Sequence, residues 1–314
     1  MIPITPSGLR IVFFGTPAFA AHILNFVANA GENIVAVVTT PEKQQGRGLK
    51  RTPMIMQEAG ERLSIPVLAP GKLRDDVFLE ELRSFNADLF CVVAYKILPK
   101  EVYTMPRLGT FNVHTSLLPK YRGAAPMNWA IINGETETGV TTFLLDEKVD
   151  TGNILLQERT TIGPDETVGE LHDDLMQLGA TLALKTIIGL AASSLTPRSQ
   201  EKELATPAPK IFPSDCVIDF NLSAEAIHNK IRGLSPIPTA VAVLPNNERM
   251  KIFRSSLPTI DNLVLRAGEF AISEDKNRLF VGTSTKPIEL LEVQRENKKR
   301  ISVEEFLRGA RNIF

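Results

Sequence analysis

A chain of 314 residues with 43% apolar and 23% charged side chains has the balance of a folded globular protein, long enough for two domains that each bury a core. Its net charge of −1 argues against a histone-like affinity for any nucleic acid. The two cysteines, Cys91 in DLFCVVA and Cys216 in PSDCVIDF, lie in different segments without a CxxC pair, which indicates neither a disulfide framework nor a cysteine-bound zinc.

The first residues, MIPITPSGLRIVFFGTP, lack a basic segment leading into a long apolar one. No apolar run is expected to reach the ~20 residues of a membrane span, so a cytoplasmic protein is expected. LRIVFF (9–14) reads as a buried strand, AFAAHILNFVAN as a helix and IVAVVT (34–39) as the next strand. A helical PMIMQEAGERL precedes IPVLAP, and a helical DDVFLEELRSF precedes DLFCVVA (88–94). Near-continuous apolar runs alternating with amphipathic helices predict an α/β fold with a mainly parallel sheet covered on both faces. LGTFNVH and GVTTFLL add strands. TVGELHDDLMQLGATLALKTIIGLAAS then opens on a Thr167…Glu170 capping box and keeps helical apolar spacing, closing a first domain over residues 1–192.

Residues 193–208 are polar and proline-containing and read as a linker. From 209 to 314 a helical SAEAIHNKIRGL gives way to short strands, TAVAVL, MKIFRS, EFAIS, RLFVG and PIELLEV, which predict a small β-barrel. ISVEEFLRGARNIF, with Ser302 and Glu305 as a capping box, is a terminal helix. Residues 205–314 carry 16 Lys/Arg against 13 Asp/Glu, a weak positive polarity that permits a polyanionic partner.

FFGTPAFA places Gly15 at a strand-to-helix turn. It lacks the G-x-G-x-x-G of a dinucleotide site, and IVAVVTTPE offers no acid at the next strand's tip, which disfavours hydride transfer. Asn112 and His114 in FNVHTSLLPKYRGAAP are i and i+2 on a strand, so both point to one face at the strand's carboxyl end, where α/β proteins bind ligands. The other histidines, His22, His172 and His228, fall on separate predicted helices, so no metal site is expected. DEKVDTGN brings Asp150 after the strand GVTTFLL, as a carboxylate that can orient an imidazole or accept a proton. Its D-T-G is shared with aspartic proteases, but those need a second such motif in a second all-β lobe. PEKQQGRGLKRTP carries Lys43, Arg47, Lys50 and Arg51, a basic loop that can grip phosphates, and Lys120, Tyr121 and Arg122 add charge beside the Asn/His pair.

FFGTPAFA, the GRG loop, NVHTSLLPKYRGAAP, ETGVTTFLLDEKVDTG and TVGELHDDLMQLGA, in this order, resemble the folate-dependent formyltransferases, and among them the methionyl-tRNA formyltransferase family. The resemblance runs through the first domain and more loosely through APKI and RGLSPIP. It implies a Rossmann-like formyltransferase domain followed by an OB-like tRNA-binding domain. The implied reaction moves a formyl group from 10-formyltetrahydrofolate to the α-amino group of methionine on initiator Met-tRNA, for translation initiation. By the same resemblance Asn112, His114 and Asp150 are catalytic, the turn Ser116, Leu117, Leu118 and Pro119 binds folate, and the loop of Lys43, Arg47, Lys50 and Arg51 contacts tRNA. No metal, no membrane and no obligate protein partner are expected. A small amine acceptor, such as glycinamide ribonucleotide or an amino sugar nucleotide, is the alternative. The family's VVAYGxILP is here VVAYKILP, one residue shorter with Lys96 in place of Gly, and its PDRPAGRG is PEKQQGRG.

Formyl transfer is attack by an amine on an activated formamide through a tetrahedral intermediate whose oxygen becomes negative. It needs donors aimed at that oxygen, and an Asn112 amide with a proton on His114 would supply them. Asp150 would orient the ring or take the amine's proton through a water. A strong base is unnecessary, because a free α-amine titrates near ~7.7–8.0.

Overall fold

A computed structural model describes residues 5–41, 55–244, 246–259 and 263–309. The chain forms two compact units: Met1–Gly123 with Gly139–Thr160 and Asp174–Pro207, and Ala124–Thr138 with Thr161–Asp173 and Ala208–Phe314.

The chain opens with β1 (Arg10–Gly15), whose Ile11 to Phe14 are fully buried, followed by α1 (Ala18–Asn29), β2 (Asn33–Val38), α2 (Ile55–Arg62) and β3 (Val67–Leu68). α1 forms where the sequence places it, with Phe19, Ala20, Ile23, Leu24 and Val27 buried at helical spacing. A Cβ on Gly15 would lie 2.5 Å from the Ala20 Cβ, so the β1–α1 turn needs glycine for packing. α3 (Asp76–Ser84) is capped by Asp75, whose side chain accepts from the Phe78 N–H. Then come β4 (Leu89–Val93), α4 (Lys100–Tyr103), β5 (Thr110–His114), the two-residue β6 (Arg122–Gly123), α5 (Pro126–Ile132), β7 (Glu137–Leu144), β8 (Ile154–Thr161), α6 (Val168–Ala191) and the short β9 (Pro207–Ala208).

Seven strands form one sheet in the order β3-β2-β1-β4-β5-β7-β8. The pairs β1–β2, β2–β3, β1–β4 and β4–β5 are parallel, as the apolar runs predict. The chain leaves β1 through β2 and β3 on one side and continues through β4 and β5 on the other. The carboxyl ends of β1 and β4 therefore flank the point where strand order reverses, the position at which open α/β sheets bind ligands.

β7 departs from the parallel expectation. It pairs antiparallel with β5, Phe111 opposite Leu144 and His114 opposite Thr141. β8, unpredicted, lies beside it at the sheet edge, where five of its eight residues are polar and its burial is patchy. Such a strand does not show the clean alternation of a half-buried one. α4 and α5, of four and seven residues, are too short to show a helical period in the sequence.

α6 corrects the expectation about apolar length. Its 24 residues are enough, by length and composition, to cross a membrane. Half of its most apolar window is buried within the protein, as in a core helix, and Gly179 packs against Phe19, Ile23 and Val113 at 3.4–3.5 Å from its Cβ position.

The second unit contains α7 (Ala224–Leu234), β10 (Ala240–Val243), β11 (Arg249–Ser256), β12 (Phe270–Ile272), β13 (Leu279–Val281), β14 (Ile288–Arg295), β15 (Ile301–Ser302) and α8 (Val303–Gly309). Its strands pair antiparallel in the order β10-β11-β14-β13-β12, with β15 on β14. Ile227 and Ile231 of α7 share a core with Ile252, Leu290 and Val293. His228 is buried, with Nδ1 3.0 Å from the Ser255 Oγ and Nε2 3.1 Å from the Pro164 carbonyl. Burial holds this imidazole below its usual range. The unfolded chain therefore binds the proton more readily, and acidification below the ordinary histidine range weakens the fold.

The Thr167–Glu170 capping box forms in both directions: Thr167 N–H donates to Glu170 Oε2 at 2.9 Å, and Glu170 N–H donates to Thr167 Oγ1 at 3.3 Å. The Thr167 amide, and after it the Arg254 guanidinium, hold the Glu170 carboxyl down to about 2 from an ordinary 4.5. With the folded value depressed, the stabilisation is complete above about pH 4.5 and is lost as pH falls toward 2. The side chain is half exposed, so screening reduces this to about 1 kcal/mol. Glu170→Gln is expected to lower Tm by about 2–4 °C at pH 7 and far less below pH 3, read by calorimetry at both values. An equal loss at both pH values would take the ionised carboxylate out of the account.

Candidate active site

β5 is TFNVH, and its alternation puts Asn112 and His114 on one face. Asn112 is half-buried and His114 is 6% exposed. The imidazole Nε2 lies 2.9 Å from the Tyr121 carbonyl oxygen. A carbonyl only accepts, so Nε2 carries a hydrogen in this contact, and Nδ1 is the ring atom left for chemistry. Nδ1 lies 3.8 Å from Asp150 Oδ2, in a pair whose side chains are 6% and 12% exposed. The Phe143 ring stands edge-on to the imidazole, with centroids 6.4 Å apart, and gives the pair an apolar wall.

Asp150 reaches His114 by a route different from the expected one. A residue directly following β7 would lie near Phe111, because β7 runs antiparallel. The β7–β8 connection instead returns, with Leu144 N–H donating to the Asn153 carbonyl at 2.9 Å, and carries Asp150 to the ring. Asp150 sits at φ +55°, a left-handed conformation that aspartate tolerates better than most residues. Its Oδ2 accepts from the Gly123 N–H at 2.9 Å, which fixes the carboxylate relative to the loop after β5.

The turn after His114 is held from within. Ser116 is fully buried and its Oγ donates to the Lys120 carbonyl at 2.7 Å. Leu118 is buried too: its N–H donates to Thr141 Oγ1 at 3.1 Å and its carbonyl accepts from Gln157 Nε2 at 2.8 Å. These two shape the turn, while Leu117 and Pro119 are only partly buried. In the shortened loop after β4, Lys96 is exposed and Ala94 takes φ +47°. Tyr95 packs against Phe14 at 5.7 Å between ring centroids, and its hydroxyl donates to the Thr39 carbonyl at 3.2 Å. Burial pushes that phenol up to about 12, so it stays a neutral donor.

Lys43, Arg47, Lys50 and Arg51 lie outside the described residues. Sequence reasoning missed two contributors. The Tyr121 carbonyl is a backbone group and carries no residue signature. Gln200 lies in the segment read as a linker, and its Nε2 donates to the carbonyls of Asp150 and Gly152 at 3.0 and 2.8 Å.

The sequence model described as "Formyl transferase" matches residues 9–187, and that of "Formyl transferase, C-terminal domain" matches residues 210–311. A protein of Bacteroides fragilis named "Methionyl-tRNA formyltransferase" is 42% identical over 310 residues, covering 96% of this chain and 95% of that protein. One of the same name from Azobacteroides pseudotrichonymphae is 44% identical over 316 residues, covering 97% of each. The chain belongs to the methionyl-tRNA formyltransferase family. Among solved structures, an N-formyltransferase from Helicobacter canadensis, in complex with folinic acid and dTDP-3-aminofucose, superposes with a TM-score of 0.67 at 20% identity, covering 91% of this chain and 99% of that one. At that identity the likeness to this formyltransferase shows the shared fold.

Proposed function

We propose that this chain transfers the formyl group of 10-formyltetrahydrofolate to the α-amino group of methionine on initiator Met-tRNA. The observation that carries the mechanism is the enclosed His114–Asp150 pair at the end of β5, with Nε2 engaged by Tyr121 and Nδ1 turned to the carboxylate. Near full-length identity to methionyl-tRNA formyltransferases supports the choice of acceptor.

In this reading the amine nitrogen attacks the formyl carbon and the carbonyl electrons move to oxygen. The Asn112 amide donates to that oxyanion, and His114 can reach it only through an Nδ1–H, since Nε2–H is taken. Collapse re-forms the carbonyl and breaks the bond to N10 of the folate. The amine gives up one proton and N10 gains one, with Asp150 and Nδ1 as the groups placed to pass it. The turn of Ser116, Leu117, Leu118 and Pro119 binds the folate donor, and the basic loop of Lys43, Arg47, Lys50 and Arg51 contacts tRNA phosphates. The functional division follows residues 1–192 for catalysis, 193–208 as connection and 209–314 for tRNA, in a cytoplasmic enzyme.

The deciding assay supplies 10-formyltetrahydrofolate with initiator Met-tRNA, elongator Met-tRNA, free methionine and an amino sugar nucleotide as separate acceptors. Formylation of initiator Met-tRNA at the highest kcat/KM is expected. Preference for the sugar nucleotide would replace the acceptor while leaving the chemistry in place.

A further inference from the structure

We infer that Gln200 is a positioning residue that sets Asp150 against His114, so the connecting segment is a working part of the active site. The inference rests on the function proposed above and adds a residue to it. Asp150 is the least self-supporting member of the site: it sits in a returning loop, at a left-handed φ of +55°. A non-glycine residue keeps such a conformation only where its surroundings hold it. Gln200 does this from one side, its Nε2 donating to the carbonyls of Asp150 and Gly152 at 3.0 and 2.8 Å.

The other end of the carboxamide is tied as well. Gln200 Oε1 accepts from Arg122 Nε at 3.1 Å and from Arg122 Nη2 at 2.7 Å. Arg122 adjoins Gly123, whose N–H donates to the Asp150 carboxylate at 2.9 Å. The chain of bonds thus closes on itself, running from Gln200 to the Asp150 backbone, from the Asp150 carboxylate to Gly123, and from Arg122 back to Gln200. The same segment holds the partner loop: Thr206 accepts from the Tyr121 N–H through Oγ1 and from the Arg122 N–H through its carbonyl, both at 2.9 Å. Tyr121 is the residue whose carbonyl fixes His114. Upstream, Arg198 and Ile154 exchange backbone bonds of 2.8 and 2.9 Å, anchoring the segment to the strand that follows Asp150.

The chemistry explains the residue type. Only a carboxamide offers an acceptor to a guanidinium at one end and two N–H donors to carbonyls at the other. A glutamate would turn an oxygen toward those carbonyls, and a lysine would meet Arg122 with like charge.

Gln200→Met keeps the side-chain bulk and removes every one of these bonds. With 10-formyltetrahydrofolate and Met-tRNA, kcat is expected to fall by on the order of tenfold, below the ~10²-fold of a full ångström's misplacement, with both KM values within about twofold. In an Asp150→Asn background the same change should cost less than about twofold, because residues acting through one group are not additive. Amide hydrogen exchange at Gly123 should speed up by more than about tenfold while exchange across β1 and β4 is unchanged, the signature of a local opening. An equal loss in both backgrounds, or a raised KM at constant kcat, overturns the inference. Absence of formyl transfer by the wild-type protein defeats the functional reading instead. Gly123 exchange then decides the positioning role alone, and unchanged exchange overturns it. Should Gln200→Met not fold, Gln200→Glu, which keeps the acceptor for Arg122 and loses both donors, is judged by the same criteria.

Discussion

His114→Ala is expected to cut the turnover of formyl transfer by about 10²–10³, with Met-tRNA binding nearly intact. The side chain is enclosed and its Nε2 is spent on the Tyr121 carbonyl, so the proposed mechanism asks a single ring atom, Nδ1, to serve both the oxyanion and the proton. Removing the ring removes both services. Asn112→Ala should fall in the same range, because it deletes the other proposed donor. Single-turnover rates with saturating 10-formyltetrahydrofolate, beside Kd values for Met-tRNA, separate the chemical step from binding. Unchanged turnover in His114→Ala would end its place in the mechanism.

Gly152→Ala is expected to be nearly as damaging although residue 152 has no side chain to take part in the chemistry. A Cβ there would lie 1.7 Å from the Leu144 carbonyl oxygen and 2.9 Å from its carbon, backbone atoms that cannot rotate away. The β7–β8 connection must then move, and Asp150 two residues earlier moves with it. Overpacking of this kind costs about 1–3 kcal/mol, and a displacement of an ångström at the reacting groups costs about 10²-fold in kcat. Denaturant midpoints give the first quantity and kcat the second. Full activity in Gly152→Ala would mean that the loop can relocate without disturbing the His114–Asp150 pair.

Local patterns were the legible part of the sequence. β1, α1 and β4 follow from apolar runs and helical spacing, and the Thr167–Glu170 box from four consecutive residues. The i, i+2 placement of Asn112 and His114 needs only the strand period. What depends on distant pairing was hidden. Asp150 after a strand was visible, but the reversal of β7, set by its register with β5, was not. Gln200 sits among prolines and charges that read as connection, since nothing local distinguishes a carboxamide that braces a loop from one in solvent. The basic loop of Lys43, Arg47, Lys50 and Arg51 shows its charge in the sequence and lies outside the described residues.

The unit that ends at Phe314 also draws on Ala124–Thr138 and Thr161–Asp173. α5 meets α7 closely: Asn128 Nδ2 donates to the Gly233 carbonyl at 2.8 Å, and a Cβ on Gly233 would lie 2.7 Å from Ile132 Cγ1. During ribosomal synthesis α5 therefore emerges about a hundred residues before the helix that covers it, and its apolar face waits uncovered through the interval. A fragment beginning at residue 208 would carry the complementary exposed surface. Grafting that fragment onto another enzyme would require α5 and residues 161–173 to travel with it.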